Sequence, residues 1–149
     1  MKPLLALVLL AFAAAPADAQ DTAPETDTSL IVPAEEVTPD ELLWIKRPLV
    51  VFADTPADPR YAEQMGYITD RIDALAVRDV VVITDTDPPA RSEWRQKLRP
   101  RGFNLVLVGK DGEIYLRKPA PWQVREIVRS IDKLPARQRE MREGTAGGS

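Results

Sequence analysis

Two unbroken apolar runs, Leu49 to Ala53 and Val80 to Ile83, most constrain what this chain can fold into. Each has the length of a strand and neither alternates with polar residues, so each needs cover on both faces. Between them Tyr61, Met65, Ile68, Ile72 and Leu75 recur at spacings of four, three, four and three, which is one face of a helix. Asp58 is placed to cap that helix, with Pro59 at its first position. A strand, a helix and a second buried strand make a parallel unit with a right-handed crossover.

The remaining segments supply the cover. Pro88 and Pro89 open a short helix running to Leu98, with Trp94 and Leu98 on one side, and Pro100 stops it. Phe103 to Val108 reads as a third strand. Gly109-Lys110-Asp111-Gly112 is turn chemistry, and Ile114, Tyr115 and Leu116 alternate as an edge strand does. A last helix starts at Pro121, carries Val124, Ile127, Val128 and Ile131 on its buried stripe, and ends at Pro135. Ahead of the first strand, Thr38-Pro39-Asp40-Glu41 is a capping box, with Val37 and Leu42 as its hydrophobic staple. It predicts a short helix carrying Leu42, Leu43, Trp44 and Ile45 over the end of the sheet. The order is strand, helix, strand, helix, strand, strand, helix. That predicts an α/β fold of thioredoxin-like topology: a mixed four-stranded sheet with helices on both faces.

The start of the chain reads as an address. Lys2 precedes an apolar run from Leu4 to Ala15, and Ala17-Asp18-Ala19 is a small-x-small cleavage site. This predicts a secretory signal peptide over residues 1–19, too short in its apolar part to span a membrane, leaving Gln20 first and no membrane span after cleavage. Residues 20–37 are rich in Thr, Pro, Ala and acids without periodicity, and predict a disordered leader. The domain is expected over 38–143, with a flexible tail at 144–149 and Arg137 to Glu143 as a solvated helix extension. The expected location is periplasmic or secreted. With a net charge of −3 and both signs mixed along the chain, no nucleic-acid stripe is present. The expected partner is an exported or envelope protein, with the oligomeric state left open.

The chain contains no cysteine and no histidine. A thioredoxin carries two cysteines at the start of the helix after its first strand, where the helix end lowers a thiol pKa. Here that stretch is Asp54-Thr55-Pro56-Ala57-Asp58-Pro59-Arg60, which excludes thiol–disulfide exchange and cysteine peroxidase chemistry at this site. Zinc hydrolysis and a Ser-His-Asp triad lack their residues too. A phosphate-binding P-loop fails because Asn104 stands at the required glycine and Asp111 follows Lys110. No cofactor and no metal are expected.

Four segments carry a family likeness: Arg47-Pro48-Leu49-Val50-Val51-Phe52-Ala53, Arg78-Asp79-Val80-Val81-Val82, Gly109-Lys110-Asp111-Gly112, and Ile131-Asp132 through Pro135, Arg137, Glu140 and Met141. Together, over about residues 44 to 142, the chain resembles an uncharacterised family of thioredoxin-like domains of unknown function. Such domains occur in bacterial exported proteins and in animal extracellular proteins such as the sushi-repeat-containing ones. Leu134 departs from an expected methionine, a change of little volume. The resemblance implies fold and compartment, and no established activity.

The predicted topology sorts the charged residues into two poles. Asp54, Asp58, Arg60, Asp85 and Arg101 fall beyond the C-terminal ends of the parallel strands, where open α/β sheets usually bind ligands. There Asp58 reads as a helix cap, and Asp85 and Asp87 as loop solvation; a cation held by Asp54 and Asp85 is the alternative. Arg47, Arg78, Asp79, Lys110, Asp111, Asp132 and Arg137 converge at the opposite end. They form either a binding surface, whose arginines grip a carboxylate or phosphate, or an ion network pinning the C-terminal segment to the sheet. Trp44, Trp94 and Met65 read as packing residues, and Trp122 as the tryptophan with the best chance of exposure. Three functions follow: a non-catalytic binding module, an enzyme using carboxylates, or a structural envelope protein.

Overall fold

The computed structural model describes residues 30–146. The expected signal peptide and most of the expected leader lie outside the described residues. The elements run β1 (Ile31–Pro33), α1 (Pro39–Leu42), β2 (Arg47–Phe52), α2 (Pro59–Asp70), α3 (Ile72–Ala76), β3 (Val80–Asp85), α4 (Glu93–Leu98), β4 (Asn104–Val108), β5 (Ile114–Lys118), α5 (Val124–Asp132) and α6 (Pro135–Ala146).

The sheet order is β1-β3-β2-β4-β5. β2 and β3 pair in parallel from Arg47 opposite Val80 to Phe52 opposite Asp85. β4 runs antiparallel to β2, and β5 antiparallel to β4. Alternate residues of the central strands face two separate cores. Leu49, Val51, Val80, Val82, Leu105 and Leu107 pack with Ile68, Leu75, Ile127 and Ile131 from α2, α3 and α5. Val50, Phe52, Val81, Ile83 and Val106 pack with Trp94 and Leu98 of α4. This double cover is why the strands read as continuous apolar runs.

Several expectations are corrected. The sheet has five strands, not four. The added strand, β1, lies inside the expected disordered leader, because Ile31, Val32 and Pro33 find a parallel partner in β3. Pro33 is tolerated there since an edge strand leaves backbone groups unpaired. The long helix expected from Asp58 to Leu75 breaks at Arg71, whose φ of −134° leaves the helical region. Pro135 opens α6 rather than closing the chain's last helix, and α6 carries residues 144–146 of the expected tail.

The segment after α1 differs most. The helix stops at Leu42, and Leu43, Trp44 and Ile45 are exposed instead of packed over the sheet. The Trp44 N–H donates to the Lys110 carbonyl at 2.7 Å, so the β4–β5 turn captures the chain and holds it out of helical register.

Candidate functional site

The charged residues at the N-terminal end of the parallel strands form one connected cluster. β2 places Arg47 at its first residue, where its side chain is only 1% exposed. Its guanidinium donates to both Glu140 oxygens, at 2.8 and 3.2 Å, and to the Arg78 carbonyl at 2.9 Å. Glu140 also takes Lys110 at 3.0 Å and Arg137 at 3.4 Å. Lys110 reaches Asp79 at 2.8 Å. Arg78 makes a two-pronged contact with Asp132, 2.9 Å on each side, and Arg137 lies 3.8 Å from the same carboxylate. Parallel forks of this kind are the strongest form of arginine–carboxylate bond.

Six of the seven residues expected at this end therefore join directly. Asp111 does not: its carboxylate accepts the Glu113 N–H and the Tyr115 hydroxyl within the hairpin. Gly109 in that turn leaves room for this pair, since a Cβ there would lie 2.3 Å from the Tyr115 ring and push it aside. The hub of the cluster, Glu140, was absent from the expected site. α6 brings it in, so the expected solvated extension is corrected: Arg137 and Glu140 are half-buried against the sheet. The family-like segment containing Glu140 was the one signal that could have found it. Arg137 is held loosely, with its Nε buried and making no hydrogen bond among the described residues.

Burial pushes the Glu140 carboxyl up, but hydrogen bonds from Arg47 and Lys110, with their charges, outweigh it and hold it at about 2, down from 4.5. Hydrogen bonds from Arg78 lower Asp132 against burial, aided by the charges of Arg78 and Arg137. A carboxylate depressed on folding stabilises the fold fully above its unfolded value and loses that contribution as pH falls through its folded value. Stability is thus expected to fall between pH 4.5 and about 2, by about 2–3 kcal/mol for Glu140 after allowance for partial solvent screening. Urea denaturation across that range checks it. Glu140→Gln is expected to flatten this part of the profile, and an unchanged profile would show that the loss arises elsewhere.

Beside the cluster lies a groove of about 420 Å³, lined by Trp44, Arg47, Lys110, Tyr115, Arg139 and Glu140 among others. Trp44 is 71% exposed and Tyr115 44%. Trp44 sits at φ 65°, in the left-handed region that a bulky side chain rarely adopts.

The opposite end does not assemble into one site. Asp58 caps α2 and pairs with Arg60, which lies over the Phe103 ring. Asp54 and Arg101 are exposed. Asp85 was expected to be loop solvation and is instead buried at the end of β3, bonded by the Ser92 hydroxyl and by Arg95 at 2.8 Å. Arg95, which the sequence reading missed, also donates to the Ala53 carbonyl and lies over the Phe52 ring. Asp85 is thereby occupied by internal partners. Trp94 is buried as expected, whereas Trp122 is half-buried, its backbone held on both sides by the Gln64 amide. Among the described residues no helix is long and apolar enough to cross a membrane.

A family described as a domain of unknown function, DUF4174, matches residues 38–140. The chain belongs to this family. The DUF4174 match contains every residue of the cluster, from Arg47 to Glu140. No curated protein matches the chain. Among solved structures, Prx1a of Plasmodium yoelii is similar at a TM-score of 0.53 and 15% identity, covering 69% of this chain and 81% of that one. Thioredoxin peroxidase I of Plasmodium yoelii is similar at a TM-score of 0.52 and 15% identity, covering 67% and 79%. These likenesses show that the DUF4174 domain has the thioredoxin-like fold.

Proposed function

We propose that this DUF4174 domain is an exported, non-catalytic module that binds an extracellular or envelope protein through the groove at the N-terminal end of the sheet. One observation carries the reading: Trp44 is held 71% exposed, at φ 65°, on the rim of a groove that also presents Tyr115 and Arg139. An exposed tryptophan forgoes burial that is worth about 2–3 kcal/mol, and the left-handed backbone adds further cost. Trp, Tyr and Arg are the residue types that dominate binding energy at protein interfaces. The cluster beneath ties Arg47 and Lys110 of the groove wall to Glu140. Export is supported by the apolar stretch Leu4 to Ala15 and the Ala17-Asp18-Ala19 site, and by the resemblance to domains of bacterial exported and animal extracellular proteins. A non-catalytic role is supported by the absence of cysteine and histidine.

Trp44→Ala separates binding from folding. Its side chain packs little, so stability is expected to change by no more than about 0.5 kcal/mol. Cross-linked co-purification from native cells should capture a partner with the wild type and with Arg125→Ala, but not with Trp44→Ala. Equal capture by all three proteins, or by none, would count against the groove.

A further inference from the structure

The cations of this chain are unevenly spread. From Arg91 to Arg101 the sequence holds five basic residues and one acid, in a chain of net charge −3. Arg95 is consumed by Asp85. Arg91, Lys97, Arg99 and Arg101 are exposed, and none of them makes an ion pair among the described residues. Arg117, exposed on the edge strand β5, reaches the same corner by donating to the Leu98 carbonyl at 2.7 Å. Arg99, Arg101 and Arg117 therefore meet around the C-terminal end of α4.

The backbone at Arg99 is one that glycine adopts at lower cost. Arg99 caps α4 at φ 48° and ψ 59°, a left-handed position where glycine is the physical default. Its N–H donates to the Arg95 carbonyl, which any residue but proline can do. Its side chain makes no hydrogen bond or ion pair among the described residues. What this arginine presents is an exposed guanidinium with no polar partner among the described residues.

We propose that Arg99, Arg101 and Arg117 form a docking site for an acidic peptide segment of a partner protein, separate from the groove at the other end. Charge complementarity selects the chemistry. Guanidinium forks match carboxylates two bonds at a time, and three of the four cations closest to the α4 end are arginines rather than lysines. A membrane surface is disfavoured because interfacial binding also needs apolar side chains. The exposed large apolar residues, Leu43, Trp44, Ile45, Val77, Ile114, Tyr115 and Met141, belong to the opposite end of the sheet or to α6.

The test uses a fluorescein-labelled hexaglutamate peptide, read by anisotropy at low salt, and vesicles of anionic phosphatidylglycerol, read by sedimentation. The wild type is expected to bind the peptide and to leave the vesicles. Arg99→Gly is expected to weaken peptide binding about fivefold while raising the melting temperature by about 3–5 °C. Arg99→Gly with Arg101→Gln is expected to weaken it about 20-fold or more, and this pair leaves the Arg117–Leu98 bond intact. Arg129→Gln removes an equal charge from α5 and is expected to leave binding within about twofold. The proposal is overturned if the double variant binds as the wild type does, or if Arg129→Gln weakens binding as much as Arg99→Gly. Vesicle binding in preference to the peptide, or a lower melting temperature for Arg99→Gly, overturns it equally.

Discussion

Replacing Arg47 with methionine is expected to lower the stability of this domain by about 3–5 kcal/mol. The guanidinium is 1% exposed and bonded to Glu140 and to the Arg78 carbonyl. Taking it away leaves Glu140 to Lys110 and the more distant Arg137, and leaves the Arg78 carbonyl short of a donor. Glu140→Leu alone is expected to be at least as damaging, because it strands a buried positive charge. The double variant is expected to recover much of the loss. Methionine and leucine need no partner, and a buried ion pair often stabilises no more than apolar residues of similar size. A double-mutant cycle by urea denaturation measures this, with a coupling of about 2 kcal/mol or more expected. Urea is the denaturant of choice, since guanidinium salt screens the interaction under study. Additive losses would mean that Arg47 and Glu140 stabilise the fold through separate contacts.

Trp94→Ala is expected to cost about 3–5 kcal/mol. One face of the sheet is covered chiefly by the six-residue helix α4, whose buried residues are Trp94 and Leu98, with Val37 and Leu42 packed beside them. Trp94 is 1% exposed, and its indole N–H donates to the Val37 carbonyl at 2.7 Å. It therefore fills the second core and ties the segment after β1 to the body. Trp94→Phe keeps most of the volume and drops the bond, for an expected loss of about 1–2 kcal/mol. In both variants the Ala34 N–H, bonded to the Thr84 carbonyl, is expected to exchange with solvent faster than that of Val50. Unchanged stability in Trp94→Ala would show that α4 contributes little to the fold.

The two expectations rest on parts of the structure that were unequally legible. Trp94 and Leu98 could be placed in a core because they sit four apart between prolines, a purely local pattern. Arg47, Arg78, Lys110 and Asp132 could be placed at one end because strand direction alone decides it. Their bonds could not be read, because Glu140 reaches Arg47 across 93 residues. The same limit explains Asp85, which looked like a loop residue until Arg95 and Ser92 closed on it. It explains Trp44 as well: its helical neighbours favoured packing, and the bond its N–H donates to the distant Lys110 carbonyl holds it out of that helix.

By itself the sequence determined the alternation of buried strands and one-sided helices, the turn at Gly109 to Gly112, and the absence of thiol and imidazole chemistry. These follow from side-chain identity and short spacings, which are local to each segment. Only the tertiary structure decided which charges are paired, which tryptophan faces solvent, and that Ile31 to Pro33 form a strand at all. Each of those depends on a partner remote in the chain. A three-residue strand or a buried guanidinium is stable only when that partner is already in place.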